Sequence, residues 1–204
     1  MKPVALINRP AGRVLSAIVL SGILSGIYVR GGGAWVLGFV MVVPWLRVLD
    51  TRETLASSLL NASLMSVAFT AAAFSWFGMA IGNYTQLGAV TGLSVLLVAA
   101  PLFQPQFLAF ALVRYLVGLR HGPVVRALAA AAAWVGMEWI APKILGDSLG
   151  YGLYPSPVLR QVADLGGAAG LTVLLLLANE GIAFALARRP EGLRRMLKPL
   201  ALAG

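Results

Sequence analysis

The chain has 204 residues, of which 59% are hydrophobic and 11% charged, and its mean hydropathy is +0.86. An ordinary soluble domain carries roughly 25% charged residues, so this chain cannot cover itself with polar surface and belongs in a bilayer. Its formal charge of +9 does not indicate a nucleic-acid partner, because Lys and Arg fall between apolar runs rather than on one solvated face; with no cysteine, the chain offers neither a disulfide nor a thiol nucleophile.

In chain order, residues 1–13 form a short basic lead into an apolar run at 14–29. More apolar runs follow at once, and GIYVRGGG is not a small-residue cleavage site, so the first run reads as a retained helix and not as a signal peptide. Arg30, Gly31, Gly32 and Gly33 make a tight turn before a second run at 35–49. That run is short for a crossing that needs about 20 residues, and Trp35 and Trp45 suit membrane interfaces, so a tilted or shallow hairpin is expected. A third run spans 55–81, and Asn83, Tyr84, Thr85 and Gln86 form an uncharged turn after it. The fourth, 87–119, is too long for one straight crossing and is interrupted by Pro101 and Pro105, which remove backbone donors and kink a helix; Gln104 and Gln106 stand ready to re-pair freed groups. A fifth, alanine-rich run occupies 124–141 and a sixth 165–187, and residues 196–204 (MLKPLALAG) read as the stub of a seventh. The fold class is therefore all-α, a single polytopic transmembrane helix bundle of about six helices with a loop at 142–164.

Charge sets the orientation. A cytoplasmic N-terminus leaves only Arg30, Lys143 and Arg160 of the Lys and Arg residues on the outer side, an asymmetry that serves as a topology signal. Both termini are then cytoplasmic, and the 142–164 loop faces outward.

Four of the seven acidic residues, Glu138, Asp147, Asp164 and Glu180, fall in one 43-residue stretch that also carries Trp139, Lys143, Tyr151, Tyr154, Arg160 and Gln161. Polar atoms at a membrane edge carry a cost unless something uses them, so this stretch is where function is expected. Glu138 has two readings: a carboxylate snorkelling to the interface or paired with Lys143, and a group that positions a lipid headgroup amine or an external domain. Glu180, two helical turns before Arg188, reads as its inward-facing partner or as a water-accessible carboxylate, with the structural role favoured. Asn61 and Asn179 read as hydrogen-bonding glue between helices, and GGAAG at 166–170 as a small-residue packing face; with no strand before it, it is no dinucleotide fingerprint. The aromatic residues of the loop also fit a plain interfacial belt. His121 is the only histidine, and no second ligand stands at metal spacing, so neither a metal nor a cofactor is expected.

The run W-x-x-x-E-W at 134–139, followed by LGYGLYPSPVLRQVADLGGAAGLTVLLLLAN at 149–179, resembles the membrane part of apolipoprotein N-acyltransferases. The spacing of Gly150, Leu153, Tyr154, Pro157, Gln161, Ala163, Asp164, Gly167, Gly170 and Asn179 carries the likeness, with WVLGFVMVVPWL and FSWFGMAIGNY upstream. One departure is the Gly146-Asp147 pair, where many relatives have Pro-Trp. The resemblance implies an enzyme of the bacterial inner membrane that takes an acyl chain from a phospholipid, holds it as a cysteine thioester, and passes it to the N-terminal amine of a diacylglyceryl-cysteine apolipoprotein. It also implies that the nucleophile belongs to a nitrilase-like domain, present in cis or in trans, since this chain has no cysteine. The chain is then the lipid-admitting scaffold, inactive by itself, with no catalytic residue of its own. Glu138, Trp139, Tyr151, Tyr154, Gln161 and Asp164 are its candidate lipid or substrate contacts. The expected partners are membrane phospholipids, the apolipoprotein substrate and the missing catalytic domain, and the expected form of the chain is a fragment or a split-gene partner. The alternative is a non-enzymatic membrane scaffold or small transporter, but a transporter should show repeat symmetry or paired broken helices, and only the Pro101/Pro105 break is visible.

Overall fold

A computed structural model of the protein describes the backbone of residues 10–51, 54–142 and 147–201, and side chains among these from residue 11 to residue 188. Eight α-helices follow in order: α1 (Pro10–Val29), α2 (Val43–Leu49), α3 (Leu55–Ala73), α4 (Ser75–Tyr84), α5 (Ala89–Phe103), α6 (Gln106–Gly118), α7 (Pro123–Ile140) and α8 (Pro157–Ala201). Two 3-10 helices, Gly32–Phe39 and Leu149–Leu153, accompany them among the described residues, where no strand occurs. Among the described residues six helical stretches are long and apolar enough to cross a membrane: Ala11–Val29, Gly32–Leu49, Leu55–Ala73, Ala89–Gly118, Pro123–Ile140 and Pro157–Arg188. The expected helical bundle is present.

The bundle's outer surface is apolar, and its interior combines an aromatic and aliphatic core with small and polar residues. On α1, Leu15, Val19, Ile23 and Ile27 recur every four residues and are exposed, whereas Ile18, Ser21, Ser25 and Tyr28 are buried. Lipid offers no hydrophobic reward for burying the first set, so packing against α3 depends on close approach of small residues. A Cβ on Gly22 or Gly26 would lie 3.1 and 2.8 Å from the Cβ atoms of Ala68 and Ala72. The α4–α5 hairpin is tighter still, since a Cβ on Gly92 would stand 2.3 Å from the Gly78 carbonyl and 2.5 Å from Gly82 Cα.

Several expectations are corrected. The 55–81 run is two helices, broken at Phe74 (φ −121°, ψ 11°), because α4 turns to lay its Gly78 and Gly82 against α5. Of the two prolines in the fourth run, only Pro105 breaks the helix: Pro101 sits inside α5, while Gln104, disfavoured from helical dihedrals by the proline after it, adopts φ −124° and ψ 54°. The sixth helix starts at Pro157 and not at 165, and it bends at Gly167, whose φ of 61° and ψ of −160° suit glycine alone. GGAAG is therefore a kink whose glycines face open space, since a Cβ at Gly166 or Gly170 would meet nothing within 4 Å, and its close contact is made at Ala168 against Gly150. The helical backbone continues through Ala201, so no separate seventh helix begins among the described residues.

Trp45 is also not interfacial. It is fully buried in an aromatic core, 5.6 Å from the Phe107 ring and 5.7 Å from that of Phe110, with Phe107 in turn 4.6 Å from Trp134 and 5.3 Å from Phe69. Such ring pairs contribute about 0.5–1.5 kcal/mol each beyond their buried area. The Gly32–Leu49 stretch is thus drawn into the bundle by its aromatic ring and held there by Asn179. The Asn179 amide accepts from Val42 N (3.0 Å) and donates to the carbonyls of Gly38 (2.8 Å) and Leu175 (2.8 Å), tying α8 to the junction between the first 3-10 helix and α2. Asn179 is glue between elements, as expected. Asn61 is not, because its amide donates to Ser57 O of its own helix (2.6 Å).

At one end of the bundle a layer of ions joins four helices. Arg114 of α6 donates to Glu180 of α8 (2.5 and 3.2 Å) and to Asp50 after α2 (2.7 Å), and Arg126 of α7 lies 3.4 Å from Asp50 and 3.7 Å from Glu180. Glu180 is therefore paired with Arg114 and not with Arg188, which instead stacks 4.2 Å over the Phe184 ring.

Candidate functional site

The other end of the bundle carries the loop, and small residues decide where it lies. Tyr28, with no exposed surface, ends α1 and donates its hydroxyl to Leu149 O (2.5 Å). Its ring is wedged between two glycines: a Cβ on Gly38 would come within 2.6 Å of it and one on Gly152 within 2.3 Å. Gly150 rests as closely on α8, where a Cβ would stand 2.2 Å from the Ala168 carbonyl. Thus the LGYGL sequence seats the second 3-10 helix between α1 and α8, across the mouth of the bundle.

Hydrogen bonds then run from this loop to a carboxylate. Gly150 N–H donates to Thr172 Oγ1 (3.0 Å), which leaves the Thr172 hydroxyl to donate to Ser148 Oγ (2.9 Å) and the Ser148 hydroxyl to donate to Glu138 Oε2 (3.2 Å). Trp134 Nε1–H, one helical turn before it, donates to Glu138 Oε1 (3.0 Å). A second chain starts at the Pro105 break: Gln106 Nε2 donates to Gln104 Oε1, and Gln104 Nε2 donates to Asp147 Oδ2 (3.3 Å). The two glutamines therefore pair with each other and with the loop, and not, as expected, with backbone groups freed at the break. Both chains converge on carboxylates at the rim, Glu138 and Asp147. Lys143, the partner expected for Glu138, lies outside the described residues.

A cavity of about 430 Å³ opens beneath this loop. Its wall is apolar along α3 and α4 (Phe69, Phe74, Trp76) and polar where Gln106, Glu138 and Asp147 face it. Two smaller recesses adjoin it, of about 240 Å³ beside Trp139 and Glu138 and of about 310 Å³ between Tyr151, Tyr154 and Arg160. Arg160 caps the last of these, its guanidinium 5.0 Å over the Tyr154 ring. The arrangement accepts hydrogen bonds from an amine or hydroxyl at the rim and offers an apolar slot below, the two halves of an amphiphile.

Of the residues singled out in the sequence, Glu138, Tyr151 and Tyr154 line the main cavity, and Trp139 lines the adjoining recess. Gln161 and Asp164 are exposed on the segment of α8 before the Gly167 kink and line none of these three recesses. Asp147 was singled out in the sequence as one acid of the functional stretch, but Gln106, Ser148 and Thr172 were not assigned to the site. The two glutamines flanking Pro105 were its one visible sign, since buried amides at a helix break must find partners. His121 lies in the turn between α6 and α7, away from the loop, and no group of acidic or histidine side chains suited to a metal occurs among the described residues.

Residues 21–180 match the apolipoprotein N-acyltransferase N-terminal domain family, and the chain belongs to that family. No curated protein and no solved structure matches it.

Proposed function

From that membership we propose that this chain is the lipid-handling membrane portion of an enzyme that moves an acyl chain from a phospholipid to the N-terminal diacylglyceryl-cysteine of apolipoproteins. The observation that carries the reading is the cavity under the loop, where two carboxylates stand at the mouth of an aromatic-lined slot. In this reading the phospholipid enters with its acyl chain along Phe69, Phe74 and Trp76 and its headgroup amine against Glu138 and Asp147. Trp139, Tyr151 and Tyr154 hold the headgroup level, with Gln161 and Asp164 further out on α8. The thiolate comes from a nitrilase-like domain in cis or in trans, because no cysteine exists in this chain. The protein resides in the bacterial inner membrane with both described ends of the bundle's chain toward the cytoplasm.

Photo-crosslinkable phosphatidylethanolamine tests the lipid site. Labelling is expected to concentrate on peptides carrying Glu138, Trp139, Tyr151 and Tyr154; even labelling along every apolar helix would reduce these aromatics to an interfacial belt. Orientation has its own test, simplified by the absence of native cysteine. Tyr154→Cys and Arg120→Cys both replace exposed residues, at opposite ends of the bundle. In intact spheroplasts an impermeant thiol reagent should modify the first and spare the second, and the reverse pattern would invert the topology.

A further inference from the structure

The ion layer far from the loop borders a recess that the proposed function does not use. It is about 260 Å³ and lies between α7 and α8, walled by Val124, Leu128, Leu177 and Phe184, with Arg126 and Glu180 at its polar end. Val124 and Leu128 are 70% and 50% exposed and belong to a stretch able to cross a membrane, so the recess opens toward hydrocarbon.

Its two charged residues differ in how fully they are engaged. Glu180 is held by Arg114 at 2.5 and 3.2 Å. Arg126 reaches its two carboxylates only at 3.4 and 3.7 Å, and its Nε has no hydrogen-bond partner among the described residues. A guanidinium has five N–H donors, and Arg126 leaves most of that capacity unused at the edge of an apolar slot. Among the described residues three guanidiniums, those of Arg47, Arg114 and Arg126, meet two carboxylates in this layer, a positive balance for these groups. Arg188, stacked on Phe184 of the recess wall, adds a further cation.

We propose that this recess binds an anionic glycerophospholipid, its phosphate on Arg126 and Arg188 and one acyl chain along Val124, Leu128, Leu177 and Phe184. A bidentate guanidinium–phosphate contact supplies the headgroup affinity, and basic pockets between membrane helices recognise acidic lipids on this physical basis. A zwitterionic lipid brings an ammonium beside the same arginines and fits less well. A soluble anion fits the charge but leaves the apolar wall unused. This lipid is distinct from one under the loop, because the two cavities lie at opposite ends of α7 and α8.

Native mass spectrometry of the full chain, extracted from an equal mixture of phosphatidylglycerol and phosphatidylethanolamine, tests this. The wild type is expected to retain phosphatidylglycerol preferentially. Arg126→Gln should weaken that retention about tenfold, as expected for loss of one charged contact. Gly181→Phe is the second variant: Gly181 lines the recess, its Cβ position is open within 4 Å, and it belongs to no ion pair, so the change fills the slot and leaves the ion layer intact. It should abolish the preference while the protein elutes as a folded species. Equal retention of the two lipids by the wild type, an undiminished preference in Arg126→Gln, or a preference surviving in Gly181→Phe would overturn the proposal. Displacement of the lipid by millimolar inorganic phosphate alone would overturn the lipid assignment as well.

Discussion

Arg114→Leu is expected to destabilise the bundle by about 3–5 kcal/mol, the cost of leaving a buried ionic partner uncompensated. Arg114 is 4% exposed and makes the short contacts that join α6 to α8 and to the segment after α2. Without it, Glu180, equally buried at 4%, keeps only the 3.7 Å approach of Arg126. Removing both charges at once is a different experiment. Because desolvation of an ion pair offsets much of its attraction, Arg114→Leu combined with Glu180→Leu should recover most of the loss. Denaturant or thermal unfolding in detergent measures both. A single-variant loss below about 1 kcal/mol, the range of exposed pairs, would mean the ion layer is solvated and does not hold the helices together.

The second large effect is on activity, and it is all or none. Purified by itself, the chain should acquire no hydroxylamine-sensitive radiolabelled palmitate, since a thioester needs a thiolate and the sequence has no cysteine. His121 lies at the α6–α7 turn, away from the hydroxyls near the loop. Supplied with a cysteine-bearing nitrilase-like domain, the chain should support transfer to a diacylated lipopeptide. Glu138→Ala should then lower transfer about tenfold, the scale of one lost charged hydrogen bond, while Gln161→Ala, exposed on α8 and outside the cavity wall, should change it less. Stoichiometric thioester label on the chain alone would refute the division of labour. Unchanged transfer by the Glu138 variant would remove the loop cavity from the reaction.

Much of this molecule is decided by composition and spacing alone. Apolar runs of about helix-spanning length in an 11% charged chain favour helices that satisfy their own backbone, so the helical bundle and its membrane-length helices follow from the sequence. The W-x-x-x-E-W and LGYGLYPSP motifs placed it in its family and drew attention to Glu138, Tyr151 and Tyr154, all of which reach the cavity. Pattern could not tell which small residues pack and which bend. Gly78, Gly82 and Gly92 are close-contact points and Gly167 is a kink, yet in the sequence each is only a glycine among apolar neighbours. A glycine's role is set by what stands opposite its missing Cβ.

Partnership across distance was equally closed to spacing. Glu180 lies one helix face from Arg188 in sequence, but its charge is met by Arg114, 66 residues away, because a carboxylate buried at that depth takes the donor with the best geometry and not the nearest in the chain. Trp45 went inward for a related reason: an indole suited to an interface gains more from the rings of Phe107 and Phe110 once helix packing brings them together. The sequence by itself determined the solvent, the helices and the family, since those depend on totals and periods along one strand of residues. The tertiary structure alone decided the cavity, its two hydrogen-bonded carboxylates and the ion layer at the other end, since each requires atoms from three or more helices to meet at one point.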